Sequence, residues 1–189
     1  MIAANTYRFN RTQFQRLTEV GILPENDLIE LIEGRLTVKF RKTPQHAFAV
    51  RNLYRVFSEQ LSDRCAIDCQ NPLALGEYSE PYPDSVLLRP EIKDELRFPL
   101  PEDVFLLVEV ADASLDFDRE DKLPLYAKAA VPEVWILNLL EGVIESYRSP
   151  QGSGYTSLQY FHRGESLSAQ AFPEISFSVD ELLPPANPH

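Results

Sequence analysis

Two carboxylates in this chain stand where a carboxylate is costly or suggestive. Glu109 interrupts an apolar run, Phe105-Leu106-Leu107-Val108 before it and Val110-Ala111 after it. The run reads as a strand, and an ionised carboxylate buried there without a partner is destabilising by several kcal/mol. An arginine, a cluster of donors or a metal ion would compensate it. A structural salt bridge, or a strand end that already reaches solvent, would also account for it. The run closes at Ala111-Asp112, so Glu109 lies near the C-terminal end of its strand, where sheet-built sites commonly sit. Asp84 follows Pro81-Tyr82-Pro83 and opens Ser85-Val86-Leu87-Leu88. Alone, a Pro-Asp before a strand is turn chemistry. On a strand adjacent to Glu109 it becomes half of a hard-oxygen cation site. Magnesium takes a couple of carboxylates plus water and phosphate, and asks for no His or Cys. The carbonyl of Val110 is a further candidate ligand.

Three more residues belong to the same question. Lys122 stands 13 positions after Glu109, at the expected start of a helix. A cation at a helix N-terminus is slightly unfavourable against the macrodipole, which marks it out. Asp118, Glu120 and Asp121 are close enough in sequence to pair with it. Glu30 alternates with Ile29 and Leu31 in a strand-like stretch and has a solvent-facing reading. His46 falls near the N-terminus of a long helix, where a lone histidine is usually incidental.

The elements that must position these residues follow from periodicity and breakers. Residues 11–20 read as a short helix with Phe14, Leu17 and Val20 on one side and Asn10 or Thr12 as cap. Residues 28–40 read as a hairpin turning at Glu33-Gly34. The clearest helix is 43–63: Ala49, Leu53, Val56, Phe57 and Leu61 share a face, and Thr43-Pro44 starts it. Two short strands are expected in 65–76 and 84–90, bounded by prolines. The continuous run 104–112 is the strand expected at the centre of a sheet buried on both faces. Residues 116–131 read as a helix in which Pro124 fits only the first turn, so that ordered helix should begin near 120–123. A hairpin turning at Glu141-Gly142, a strand at 154–161 and a last turn of helix at 178–183 complete the chain. The order defines an α/β or α+β fold, a central mixed β-sheet flanked by helices. The tail from residue 184 is expected to fray.

Bulk properties bound the function. The 189 residues are 44% hydrophobic and 25% charged, enough for a single domain spanning 1–189. No apolar run is long enough to span a membrane, and the N-terminal stretch lacks a signal-peptide core, so a cytoplasmic protein is expected. Cys65 and Cys69 cannot form a disulfide scaffold and read as small residues beside a strand. The net charge of −11 argues against nonspecific coating of nucleic acid. The charge is uneven, however. Residues 35–55 hold Arg35, Lys39, Arg41, Lys42, Arg51 and Arg55 with no acid, a segment of +6 that leaves −17 for the remainder. That segment is either a solvated face or a local phosphate-binding patch.

The Pro-Asp at 83–84, the Val-Glu-Val at 108–110 and the downstream Lys122 together resemble the PD-(D/E)XK nuclease superfamily. Within it the chain is similar to the Uma family of restriction-endonuclease-like proteins, second Uma type. The resemblance runs through IELIEGRL (29–36), TPQHA (43–47), the distinctive stretch 109–138, and the closing segments YRS, GYTSLQYFHRGESLS and FPEISFSVDELL. It implies a restriction-endonuclease-like fold and metal-dependent hydrolysis of DNA phosphodiesters. It also implies that Asp84, Glu109 and the Val110 carbonyl hold Mg²⁺ or Mn²⁺, with Glu30 assisting. Lys122 would act on the attacking water or on the phosphate, and His46 would hold a phosphate or support a ligand. Tyr126, four residues after Lys122, would orient it or merely pack. DNA would lie along the basic segment 35–55, and a homodimer would serve two-strand cutting. One departure is plain: the lysine position of the ExK triplet is Ala111, so the resemblance implies that Lys122 supplies the amine from the following helix. Two other readings stand beside this one: a nuclease-fold module that binds nucleic acid or protein without cutting, and a carboxylate-pair hydrolase acting on a substrate such as a glycoside.

Overall fold

The computed structural model describes residues 6–24, 29–39 and 41–185. The first helix, α1 (Arg11–Glu19), starts at a reciprocal cap. The Asn10 side chain accepts from the Gln13 N–H at 2.8 Å, and the Gln13 side chain accepts from the Asn10 N–H at 3.0 Å. Strands β1 (Ile29–Ile32) and β2 (Arg35–Val38) pair antiparallel around Glu33 and Gly34. Both turn residues have positive φ, 47° and 81°, as a two-residue hairpin of this hand requires. Gly34 is doubly constrained, because a Cβ there would meet the Arg8 Cβ at 2.6 Å. The outer ends of the expected hairpin, Leu28 and Phe40, lie outside the described residues.

Helix α2 (Pro44–Leu61) is capped by Thr43, whose hydroxyl accepts from the His46 N–H at 3.1 Å, and Pro44 occupies the first turn. Its stripe of Ala49, Leu53, Val56, Phe57 and Leu61 is fully buried, as its spacing predicts. Next come β3 (Ala66–Asp68), β4 (Ser85–Leu88) and β5 (Val104–Ala111), followed by a helical segment. After it come β6 (Glu133–Asn138), β7 (Val143–Gln151), β8 (Gly154–His162), β9 (Ser166–Leu167) and β10 (Phe177–Ser178). Strands β9 and β10 pair with each other; at two residues each they are too short to show a sequence period. Of the tail, only residues 184–185 are described.

The six strands β3-β4-β5-β6-β7-β8 form one mixed sheet in that order. Strands β5 and β6 run parallel and every other neighbouring pair is antiparallel. Alternation along β5 divides the core between two faces. Leu106, Val108 and Val110 pack with α2, Trp135 and Phe177 on one face. Leu107 and Ala111 pack with Val86, Ile136, Leu125 and Tyr126 on the other. Glu109 alternates with Leu107 and Ala111, and so points to the second face.

The helical segment corrects the sequence reading. Helix does not begin near 120–123. It runs from α3 (Leu115–Phe117) through one π turn, Asp118–Lys122, into α4 (Leu123–Lys128). A short helix α5 (Val179–Leu182) closes the chain. The Leu123 N–H bonds the Asp118 carbonyl, five residues back. The π turn widens the helix just ahead of Pro124, where a continuing α turn would press the proline ring into the Glu120 carbonyl. Pro124 is accommodated inside a longer helical run rather than at its start. Lys122 therefore sits within the run, seven residues past its beginning, and the N-terminal dipole bears on it less than the sequence suggested.

Candidate active site

The N-terminus of α2 is tied to the end of β5 through one hydroxyl. Thr43 Oγ1, besides capping His46, donates to Asp112 Oδ2 at 2.7 Å. That tie places His46 over the start of β4. Its Nε2 lies 3.1 Å from Asp84 Oδ2, which also accepts from the Val110 N–H at 2.9 Å. Gln70 donates to the other oxygen, Oδ1, at 3.2 Å. Asp84 thus bridges β4, β5 and α2. Burial alone would push its carboxyl up. The hydrogen bond and charge of His46, the Val110 N–H and the Lys122 ammonium outweigh burial and hold it down at about 2.

Glu109 is 3% exposed. Its Oε1 accepts from Tyr126 Oη at 2.5 Å and from Lys122 Nζ at 3.2 Å. Lys122 Nζ is also 3.2 Å from Glu30 Oε1 and 3.8 Å from Asp118 Oδ1. Glu30 reaches the cluster from β1, where its Oε1 accepts from the Tyr82 N–H at 2.7 Å and lies 3.6 Å from Lys39 Nζ. Glu30 is buried, which excludes its solvent-facing reading. Of the acids flanking Lys122 in sequence, Asp118 joins it, whereas Asp121 pairs with Arg35 at 2.7 Å.

The five candidate catalytic residues therefore converge. Asp84, Glu109, Lys122, Glu30 and His46 line one cleft, together with Lys39, Arg41, Lys42, Tyr82, Asp112, Ser114, Phe117 and Asp118. The basic segment divides. Lys39, Arg41 and Lys42 line the cleft, while Arg51 and Arg55 lie exposed on α2, Arg55 paired with Glu59. Asp118 was visible in the sequence only as a neighbour of Lys122. Tyr126 donates to Glu109 rather than to the lysine.

The electrostatics are unbalanced. Glu30, Asp84, Glu109 and Asp118 are each at least nine-tenths buried, against one equally buried ammonium. Burial pushes the Glu109 carboxyl up despite Lys122, and the charges of Asp84 and Glu30 add to the rise. Burial and then the charge of Glu109 push Asp118 well above the carboxylate range. Burial would lower the Lys122 ammonium, but Glu109, Glu30, Asp118 and Asp84 together raise it, so it stays charged. A cluster that raises its own acids has room for one more positive charge.

The donor set fits a hard divalent cation. Among the described residues no three His, Cys, Asp or Glu side chains form a metal-holding group by themselves. Two carboxylates, Asp84 and Glu109, with the Val110 carbonyl, match an ion that keeps several waters. Glu109 Oε2 has no hydrogen bond among the described residues, which leaves it available to such an ion. His46 Nδ1 is the one buried side-chain polar atom without a partner among the described residues.

A mixed six-stranded sheet carries the carboxylates on neighbouring strands, and a lysine comes to them from the next helix. That combination defines an α/β protein of the restriction-endonuclease-like class. The family profile described as "Uma2: Putative restriction endonuclease" matches residues 11–180, and the chain belongs to that family. Its fold is similar to the crystal structure of "a putative nuclease belonging to DUF820" from Anabaena variabilis ATCC 29413. The TM-score is 0.73 at 15% identity, over 92% of this chain and 97% of that one. No curated protein matches the chain. Among the described residues no helix is long and apolar enough to cross a membrane.

Proposed function

We propose that this chain is a divalent-metal-dependent nuclease that hydrolyses DNA phosphodiester bonds, built as one nuclease domain. The observation that carries the reading is the convergence of Asp84, Glu109 and Lys122 in one cleft, with more buried carboxylate than buried cation. Asp84, Glu109 and the Val110 carbonyl would hold Mg²⁺ or Mn²⁺. Bound there, the ion would polarise the scissile phosphate and lower the pKa of a water.

The chain's own residues have separable tasks in this reading. Lys122 keeps its proton, so it acts as a positive charge and hydrogen-bond donor toward the phosphate or the attacking water, not as a base. Tyr126 and Lys122 fix Glu109 Oε1 and leave Oε2 for the ion. His46 and the Val110 N–H orient Asp84. Lys39, Arg41 and Lys42 meet the substrate backbone at the mouth. Cutting both strands of a duplex would call for a homodimer.

The test is conversion of supercoiled plasmid in Mg²⁺ or Mn²⁺, with EDTA as control, for the parent and Glu109→Gln. The parent should nick and the variant should not, while both give the same far-UV circular dichroism. Equal cutting by a cleanly purified Glu109→Gln would overturn the assignment. A folded parent that binds DNA but cuts nothing would mark a binding module instead.

A further inference from the structure

We propose that two copies of this chain pair along the outer edge of β8, antiparallel about a two-fold axis, so that their sheets join into one. The sheet edge carries this independently of the nuclease reading, and it supplies the surface for the homodimer that duplex cutting calls for.

The edge is long and unprotected. The six-stranded sheet ends in β3 on one side and in β8 on the other. Folded chains guard such edges with shortness, charge, proline or a bulge, because an exposed row of N–H and C=O groups pairs with a strand offered to it. Strand β3 is guarded: it has three residues and ends in Asp68. Strand β8 has nine, Gly154–His162, which extend about 30 Å. None of them is Pro, Asp, Glu, Lys or Arg. One register with β7 holds from Val143↔His162 to Gln151↔Gly154, so no bulge turns the edge away. Among the described residues, the backbone hydrogen bonds of β8 outside the β7 ladder are confined to His162. Its N–H donates to Glu165 Oε2 at 2.7 Å and its carbonyl accepts from the Glu165 N–H at 3.0 Å.

Charge selects the occupant. Residues 146–164 contain no Asp or Glu, in a chain with 29 of them. The two arginines of that stretch are paired within the chain, Arg148 with Glu133 at 2.7 Å and Arg163 with Asp180 at 3.2 Å. The edge is thus a neutral strip on a protein of net charge −11. A nucleic acid would call for free cations there, and a basic partner for free carboxylates. Two copies of an acidic chain can approach closely only where neither carries acid, and this strip meets that condition.

The side chains are self-complementary. Thr156, Leu158, Tyr160 and His162 alternate along the exposed face of β8, with Leu158 43% and Tyr160 50% exposed. An antiparallel pairing that engages all nine residues sets Leu158 opposite its own copy and Tyr160 opposite the partner's Thr156. An apolar pair at the axis flanked by aromatic–β-branched pairs is a favourable cross-strand set. Nine residues a side is fewer than the roughly 20–30 of a standard interface, so the expected affinity is micromolar. Among the described residues none from β7 or β8 lines the cleft, so the pairing leaves the cleft's own residues untouched.

The experiment is sedimentation velocity on the full chain from about 2 to 200 µM, with circular dichroism to confirm the fold. The parent should pass from monomer to dimer with a Kd of about 1–50 µM. Leu158→Lys and Tyr160→Lys, both at exposed positions, should each weaken the dimer at least about tenfold, because they set like charges beside the axis. Leu158→Cys should cross-link the dimer on oxidation. Tyr160→Cys should not, because its own copy is offset by four residues and lies beyond disulfide reach. The parent, with Cys65 and Cys69, is the control for cross-linking. A monomer at every concentration, a dimer that both lysine variants leave intact, or species larger than a dimer overturns the inference. A dimer cross-linked through Tyr160→Cys and not through Leu158→Cys overturns the register about Leu158. None of these measurements reads cutting, so the nuclease reading stands or falls separately.

Discussion

Lys122→Met separates the charge of the lysine from its bulk. The ammonium lies 3.2 Å from Glu30 and from Glu109 and 3.8 Å from Asp118. At an effective dielectric constant near 20 each attraction is about 4–5 kcal/mol, most of it offset by the loss of hydration of the buried groups. Removing one partner of such a cluster leaves the others unpaired, and the net loss expected is about 3–5 kcal/mol. For a chain of this size that lowers Tm by about 6–20 °C. A divalent ion should return part of it. Binding at 100 times Kd contributes about 2.7 kcal/mol, and Lys122→Met removes a charge that repels the ion. Mn²⁺ should therefore raise the Tm of the variant by more than that of the parent. Thermal melts in EDTA and across a Mn²⁺ series, with circular dichroism to confirm the fold, read both effects. An unchanged Tm in EDTA would show that the cluster is not held by Lys122. A Mn²⁺ shift present in the parent and absent in the variant would show that the ion does not bind among these carboxylates.

Other outcomes follow from the same geometry. Tyr126→Phe loses the donor to Glu109 Oε1 and should cost about 1.5–3 kcal/mol by urea denaturation, with weaker Mn²⁺ binding by calorimetry; unchanged values for both would reduce Tyr126 to packing. The pH dependence has two limbs. Asp118 and Glu109, with raised folded pKa, contribute stability that is present below their unfolded values and lost as pH rises through their folded ones, so the metal-free protein should gain stability on mild acidification from neutral. Asp84, held at about 2, contributes stability that is lost as pH falls from its ordinary 3.8 through 2, which turns the curve down. Asp118→Asn should stabilise the metal-free protein at pH 7.5 and flatten the first limb; a melt series that shows destabilisation instead would refute the assignment. Finally, Lys122→Ala should lower Mn²⁺-dependent cutting at least about 100-fold, and A111K added to K122A should recover at least about tenfold of it. A well-folded double variant as inactive as the single one would argue that the strand position cannot stand in for the helix position.

What the sequence made legible was local. The run around Glu109 is a central strand because its apolar residues are continuous, and Thr43-Pro44 starts α2 because cap and first-turn rules act within three residues. The two glycine turns, Gly34 and Gly142, have the positive φ that hairpin reading requires. The helix after β5 was misjudged for a physical reason. The proline rule forbids an α turn around Pro124, but a π turn satisfies the same steric demand without ending the helix. Other features depended on distant partners. Glu133 and Glu145 are fully buried, yet nothing near them in sequence marks them as paired. Their arginines, Arg148 and Arg119, are 15 and 26 positions away. The cleft residues Lys39, Arg41 and Lys42 were distinguishable from Arg51 and Arg55 only once the connector and helix were placed in space.

The register of the sheet accounts for where the Lys122 ammonium lies, which the proposed replacement of a strand lysine at Ala111 requires. Glu109 on β5, Ile136 on β6 and Glu145 on β7 lie in one lateral row. With strands about 4.8 Å apart, the two glutamates stand roughly 10 Å from each other across the row. Arg119 and Lys122, three residues apart on the π turn, meet them one each. The two encounters differ in what else is present. Glu145 accepts from Arg119 twice, from Asn138 and from Tyr147, and is fully buried, so its site is closed. Glu109 keeps one oxygen, Oε2, without a hydrogen bond among the described residues and lines the cleft. The closed pair sets where the π turn sits on the sheet, and that position determines where the Lys122 ammonium ends. A lysine carried this way needs no side chain from Ala111, whose small size lets the helix pack on the strand beside Glu109. The position of the amine is thus a property of the row and the turn together: loosening Arg119 from Glu145 should displace it even though neither residue lines the cleft.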